Sequence, residues 1–320
     1  MPKKTTFLIV LLLLIGGCTK YEPVLRDKPW MSELPDDMRV CRMSIPGAHD
    51  AATGTMSIPI VQNHAKTQAL TIAELWDAGV RAFDLRPALR DGELGIYHSS
   101  YYTGTTMGEA LGTIASKLDD DPSEFAIILI RHEEEADGDD PSWGKALLSC
   151  IKSLPQSRVQ DWFDPSMRLG DLRGRMLILS RESYSTQTYG AIISGWYSGT
   201  NLARQKSAAI GSGSLWVQDF YDPDSAEEKW SCFQSLAKDF TVCCDDTWCI
   251  NHCSGYLSGT FGLPDYEGNA SYINLKASQS GSSLLKGIIM MDFAGTDIYG
   301  SDEVHGATLV SSIISANFQN

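Results

Sequence analysis

Positive charge is scarce in this chain. Its 320 residues carry 26 Lys and Arg against 40 Asp and Glu, a formal net charge of −14. Nucleic-acid backbones are bound through clustered Lys and Arg, so the balance argues against a nucleic-acid partner. It also disfavours long-range attraction to an anionic membrane, and an anionic headgroup would have to be held by a few local cations. Long apolar runs are missing too: after the first twenty residues no segment is long and apolar enough to span a bilayer. There are no internal repeats, and no Gly-rich phosphate loop follows the first predicted strand, which argues against an open nucleotide-binding sheet. At 43% hydrophobic and 21% charged the chain is not disordered, and its length suits either two medium domains or one α/β barrel.

What is present at the N-terminus is a targeting signal. Lys3 and Lys4 precede an apolar run from Phe7 to Ile15 that is too short for a membrane span but suits secretion. The run ends in Ile15-Gly16-Gly17-Cys18, small residues before a cysteine that resemble a bacterial lipobox. Residues 1–18 are therefore expected to be a lipoprotein signal with Cys18 lipidated, 19–29 a linker and 30–320 a single folded domain. The protein would be exported, anchored to the cell envelope or secreted, and monomeric. Seven cysteines remain, Cys41, Cys150, Cys232, Cys243, Cys244, Cys249 and Cys253. In an exported protein the 243–253 cluster is expected to staple a loop, with a zinc site that includes His252 as the alternative.

Short apolar runs alternate with amphipathic stretches. Strands are expected at Arg39–Ile45, Val80–Leu85, Leu94–Tyr97, Phe125–Ile130, Met176–Ser180, Leu215–Gln218, Cys249–Asn251 and Ile288–Met291. Helices fit Thr106–Leu118 and Ser142–Leu154, whereas the Gly/Ser-rich stretches 194–214 and 278–283 read as loops. This alternation predicts a single distorted (β/α)8 barrel, in which all strand C-termini open on one face. Ionisable residues follow those ends: His49, Arg86, His98, Arg131, Arg181, Asp219 and Asp292.

Three segments carry the chemistry. Ser44-Ile45-Pro46-Gly47-Ala48-His49-Asp50 runs from a strand into a turn that exposes a histidine beside a carboxylate. Gly79-Val80-Arg81-Ala82-Phe83-Asp84-Leu85-Arg86 places Asp84 and Arg86 on one side of a strand. Tyr97-His98 brings a second histidine to the same face. Two histidines, a cation and carboxylates behind them are what phosphodiester transfer to a neighbouring hydroxyl requires. For His64, His132, His252 and His305, packing or surface placement is the better expectation. Core packing or surface scatter is the better expectation for the aromatics, with Tyr101-Tyr102 and Trp196-Tyr197 in expected loops as the alternative candidates for a lipid interface.

These segments, with Arg168–Arg175, Leu179–Arg181, Val217–Tyr221 and Ile289–Phe293, resemble the X domain of phosphatidylinositol-specific phospholipases C from about Trp30 to Phe293. The resemblance implies a barrel that converts phosphatidylinositol, or a glycosylated anchor, in a membrane surface to diacylglycerol and inositol 1,2-cyclic phosphate. It makes His49 the base, His98 the acid, Asp292 the partner of His49, and Asp84 the partner of His98. Arg86 would contact phosphate and Asp50 the leaving oxygen; Arg131, Arg181, Asp219 and Tyr221 would hold substrate. Arg131 stands where the bacterial enzymes usually have Lys. No cofactor or metal is implied, because Arg86 stands where metal-dependent relatives gather carboxylates. The alternatives are a glycerophosphodiester phosphodiesterase and a catalytically silent inositol-lipid- or glycan-binding lipoprotein.

Overall fold

The computed structural model describes residues 29–57, 62–184, 189–196, 205–243 and 246–319. The signal segment with Cys18, Cys244 and Tyr197 lie outside the described residues, and with them the expected targeting role. Nine strands close a barrel: β1 (Ser44–Ala48), β2 (Ala82–Leu85), β3 (Ala126–Ile130), β4 (Met176–Ser180), β5 (Ala191–Ser194), β6 (Gln205–Ile210), β7 (Gly213–Gln218), β8 (Thr247–His252) and β9 (Gly287–Met291). They neighbour one another in chain order, β9 pairing with β1. Neighbouring strands are parallel throughout, except that β6 runs antiparallel to both β5 and β7. The ring thus has eight parallel strands plus one reversed strand; seven of the eight coincide with expected strands and the eighth, β5, was not expected.

Three expectations about individual strands change. Of the expected strand Arg39–Ile45 only Ser44 and Ile45 belong to β1, and Val40–Arg42 forms a 3-10 turn instead. The segment around Leu94 is no barrel strand but the centre of an antiparallel meander, Pro87–Arg90, Glu93–His98 and Tyr101–Thr106, inserted between β2 and β3. The stretch read as loop at 194–214 holds all of β6. Alternation of small and apolar residues there is a weak strand signal, and pairing with both neighbours supplies what the local sequence does not.

Helices cover the outside: α1 (Ile72–Asp77), α2 (Met107–Asp120), α3 (Pro141–Ser153), α4 (Ala226–Phe240), α5 (Tyr266–Ser278) and α6 (Gly306–Ser315). Thr71 and Thr106 each close a capping box with the Glu three residues on, and Asp140 caps α3 ahead of Pro141. Among the described residues no helix is long and apolar enough to cross a membrane.

Strand parity divides the core in two. Ile45, Ala82, Ile127, Leu129, Leu177, Leu179, Leu215, Val217, Trp248, Ile250, Ile288 and Met290 point inward. Their chain neighbours Ala48, Phe83, Ile128, Ile178, Ile289 and Met291 face outward against α2, α3 and α6. Gly47 sits on the inward face, where a Cβ would lie 2.4 Å from Met290 Sδ, so a larger residue would displace the Met290 side chain from the inner core. The N-terminal end of the barrel is stoppered by Trp30, Met31, Val40, Cys41 and Met43, which join the inner core. Trp30 Nε1 donates to Gly79 O at 3.1 Å, and Met31 N to Glu124 Oε1 at 2.7 Å.

Cys249 lies within β8 and Cys253 just after it, both as buried free thiols, so among the described residues the expected disulfide-stapled loop is not found. Burial pushes both thiols well above their usual range. Among the described residues these cysteines and His252 do not gather into a metal-binding group.

Candidate active site

Continuing the inward parity past the last apolar residue of each strand gives His49 (β1), Asp84 and Arg86 (β2), Arg131 (β3), Arg181 (β4), Asp219 (β7), His252 (β8) and Asp292 (β9). The core is apolar as far as the strands are covered and turns polar where they open, so the same alternation that fills the barrel aims these groups at its mouth. A cleft of about 200 Å³ at that mouth is lined by His49, Asp50, Arg86, His98, Arg131, Asp219, Tyr221, Gly255, Tyr256 and Tyr266. A smaller chamber beneath it is lined by Asp84, Arg86, Arg181, Trp196, Asp219 and His252 among others.

His49 Nδ1 lies 2.8 Å from Asp292 Oδ1, and Asp292 Oδ2 accepts from Gly255 N at 3.0 Å. On the other side of the ring, Arg86 Nη2 is 2.8 Å from Nε2. Two influences on the proton oppose one another here. Burial disfavours the imidazolium, but Asp50 and Asp292 outweigh it and raise His49 to about 9. A second proton on Nε2, however, would face a guanidinium N–H at hydrogen-bond distance. The contact decides for the neutral ring with its proton on Nδ1, and the carboxylates make that ring strongly basic.

Arg86 joins the carboxylates. Its Nη2 and Nε lie 2.9 and 3.1 Å from Asp84 Oδ2, and its Nε lies 2.9 Å from Asp50 Oδ1. His49, Asp50 and Asp84 bring one ligand atom each within 4.8 Å of one another, a cation-sized cluster, and the cation ion-paired to both carboxylates is Arg86. The contact to Asp50 lacks hydrogen-bond alignment, so both Asp50 oxygens are buried without a hydrogen-bond donor. Burial raises the Asp50 carboxyl, but Arg86 and the two histidines hold it below the usual carboxylate range. Asp50 also adopts φ 44°, a left-handed conformation that turns the chain out of β1.

His98 reaches the cleft from the meander. Its Nδ1 donates to Ala65 O at 2.5 Å, which leaves Nε2 facing Asp50 Oδ2 at 3.7 Å. The expected pairing of Asp84 with His98 is therefore corrected: Arg86 occupies Asp84, and the carboxylate that approaches His98 is Asp50.

The opposite wall holds Arg181 and Asp219. The Arg181 guanidinium lies 4.4 Å over the Trp196 ring, and Trp196 Nε1 donates to Asp219 Oδ2 at 2.9 Å. Burial lowers Arg181 to about 10, still charged at neutral pH. Burial works against the Asp219 charge, yet the surrounding cations and the indole N–H hold it ionised. Trp196, placed by the sequence in a loop, belongs to this wall. Beneath it Lys229 is fully buried, its Nζ donating to Phe220 O at 2.6 Å and Gln218 Oε1 at 3.1 Å. Tyr221 stands at the rim, partly exposed, 6.0 Å from the Tyr256 ring.

His252 was missed by sequence reading. Its Nδ1 is 2.8 Å from Ser254 Oγ and 3.7 Å from Asp219 Oδ1, and its Nε2 is buried without a hydrogen-bond partner. Burial pushes it down to about 3, so the ring is neutral. The signal was available: β8 runs one residue further than expected, and Trp248, Ile250, His252 is the inward parity.

No family model matches the chain. The 1-phosphatidylinositol phosphodiesterase of Staphylococcus aureus is 27% identical over 98% of each chain. That of Listeria monocytogenes is 26% identical over 83% of this chain and 81% of its own. A solved structure of S. aureus phosphatidylinositol-specific phospholipase C superposes with a TM-score of 0.75 at 23% identity, covering 91% of this chain and 98% of that one. The fold is thus that of the bacterial phospholipase C barrels, and the chain is similar along its length to the bacterial 1-phosphatidylinositol phosphodiesterases, as its motifs imply.

Proposed function

We propose that this protein is a phosphatidylinositol-specific phospholipase C. His49 removes the proton from the inositol 2-hydroxyl, whose oxygen attacks phosphorus. The phosphorus–oxygen bond to diacylglycerol breaks, and His98 protonates the departing oxygen. The products are diacylglycerol and inositol 1,2-cyclic phosphate. Attack within one molecule explains why the site needs no Ser or Cys nucleophile. Asp292 fixes the His49 tautomer, and Arg86 stabilises the phosphoryl oxygens. Asp50, a buried carboxylate with no hydrogen-bond donor of its own, supports protonated His98 near the leaving oxygen. Arg181 and Asp219 take inositol hydroxyls, Tyr221 covers the ring and Arg131 adds charge at the phosphate side.

The observation that carries this reading is the convergence of two separately supported imidazoles on one cleft, His49 on Asp292 and His98 on Asp50, with a guanidinium between them. The guanidinium among the carboxylates favours a reaction without a metal over the carboxylate-bound metal of a glycerophosphodiester phosphodiesterase. In the cell, the chain is exported and held at a membrane through lipidated Cys18, and acts as a monomer.

The test is phosphorus NMR of the water-soluble product formed from phosphatidylinositol in the presence of chelator. A cyclic phosphodiester is expected; no product, or product only after calcium is restored, rejects the reading. The two histidines are separated by leaving group. His98→Ala should be severely impaired on the lipid but recover much of its rate on a nitrophenyl ester of inositol phosphate, whose phenolate leaves unaided. His49→Ala should stay slow on both. Rescue of His49→Ala instead would mean the roles are reversed.

A further inference from the structure

The parallel ladder between β1 and β9 ends at the pair Ala48 and Met291, one residue before His49 and Asp292. Both chains then turn away, Asp50 with φ 44° and Phe293 with φ 54°. The 2.8 Å contact between His49 and Asp292 therefore forms at the last backbone bond of the ladder, His49 N to Met291 O at 3.0 Å. Gln68, fully buried in the segment between β1 and α1, lies just beyond that bond. Its Nε2 donates to His49 O at 2.8 Å and to Met291 O at 2.9 Å, while its Oε1 accepts from Ala294 N at 2.9 Å. One carboxamide thus uses both N–H groups and its oxygen on the backbone of the base and on both sides of its partner carboxylate. Its own backbone is fixed by Thr53 Oγ1, 3.0 Å from Gln68 N.

We propose that Gln68 is a positioning residue, whose carboxamide extends the β1–β9 ladder by one step and so sets the register of His49 against Asp292. The proposal rests on the reading of that pair as base and orienting carboxylate. Only an amide of this length meets the demand: glutamate lacks the two donors, and an apolar side chain lacks all three contacts. The carbonyls it holds keep other donors, His49 O from Thr67 Oγ1 at 3.3 Å and Met291 O from His49 N at 3.0 Å. A near-isosteric Gln68→Met then orphans only the Ala294 N–H and should fold. What it removes is the bracing of His49 O, Met291 O and Ala294 N by one group beyond the last ladder bond.

The experiment compares wild type, Gln68→Met, Asp292→Asn and the double variant on a water-soluble inositol phosphate ester, together with melting curves and an NMR titration of the His49 ring. The Gln68→Met kcat should fall by roughly ten- to a hundredfold with KM nearly unchanged, the scale expected for a misplaced catalytic group. In the Asp292→Asn background the same change should cost less than about threefold, because the register no longer has a carboxylate to deliver. His49 is faced by Asp292, Asp50, Arg86 and the ring of His252, and only the first is loosened, so its titration should move down. Equal losses in both backgrounds, or a lowered melting temperature with kcat intact, would overturn the proposal and make Gln68 a filler. If Gln68→Met does not fold, Gln68→Glu should show the same loss of kcat, and full activity there is equally fatal. A wild type inactive on every inositol ester would sink the enzymatic reading, while the titration would still report on Gln68.

Discussion

Arg86 contacts Asp84, Asp50 and His49 at once, and the substrate phosphate would have to share it with them. Replacing it by Ala removes a charged contact made at the phosphoryl oxygens in a largely closed site, worth roughly 3–4 kcal/mol in the transition state, so the rate should fall by orders of magnitude. A loss below about tenfold, equivalent to only ~1.4 kcal/mol, would remove Arg86 from the phosphate. His49 offers a second reading at this scale. Its basicity is raised by Asp50 and Asp292 against the effect of burial. Since the neutral ring is the reactive form, kcat/KM should rise with pH along a limb lying above the ordinary histidine value of about 6.5. Asp292→Asn should depress the rate and move that limb down. A limb that stays in place when Asp292 is changed would mean that another group titrates.

The strand ends carried most of what was legible beforehand. Apolar runs such as Ala126–Ile130 and Gly287–Met291 are buried on both faces and announce barrel strands, and the ionisable residue after each marks the mouth. His98 came from a different element, because the alternation of Leu94–Tyr97 cannot distinguish a barrel strand from a meander that only leans over the barrel end. The pairing of Asp84 with Arg86 in place of His98 depends on the reach of that meander, which no local pattern encodes. One further element bears on how a lipid is reached. The hairpin formed by Leu257–Ser258 and Pro264–Asp265 follows β8 beside Tyr256 and Tyr266 of the cleft, and Phe261 at its tip is 97% exposed. Phe261 has φ 62°, a conformation asparagine tolerates, so Phe261→Asn removes the apolar ring without straining the turn. Burying a Phe contributes roughly 1.5–3 kcal/mol, so turnover of vesicle lipid should fall by about tenfold or more. Turnover of a water-soluble ester should be unchanged. Equal effects on both substrates would place the hairpin in catalysis instead of at the interface.

Across the whole molecule, local and global charge pull in opposite directions. Arg86, Arg131 and Arg181 bring three cations to the cleft, set among Asp50, Asp84 and Asp219, while the full chain carries a formal charge of −14. A phosphatidylinositol-rich bilayer is anionic, so the distant field repels the protein from the surface its cleft is built to use. Attraction takes over only within the few ångströms where the arginines reach a headgroup. Exposed apolar side chains also stand on the same face, Tyr221, Phe261, Leu263 and Ile298 following barrel strands at their open ends, and apolar contact is not weakened by salt. The long-range repulsion is: the Debye length falls from about 30 Å at 0.01 M to about 8 Å at 0.15 M. Raising ionic strength over that range should therefore increase the initial rate on phosphatidylinositol vesicles diluted in neutral lipid, through tighter vesicle binding. The rate on a soluble monoanionic ester should change much less, because that substrate is governed by the cleft. A vesicle rate that falls as salt rises would show that local cations outside the cleft dominate the approach, and the acidic body would then have no bearing on how the enzyme meets its membrane.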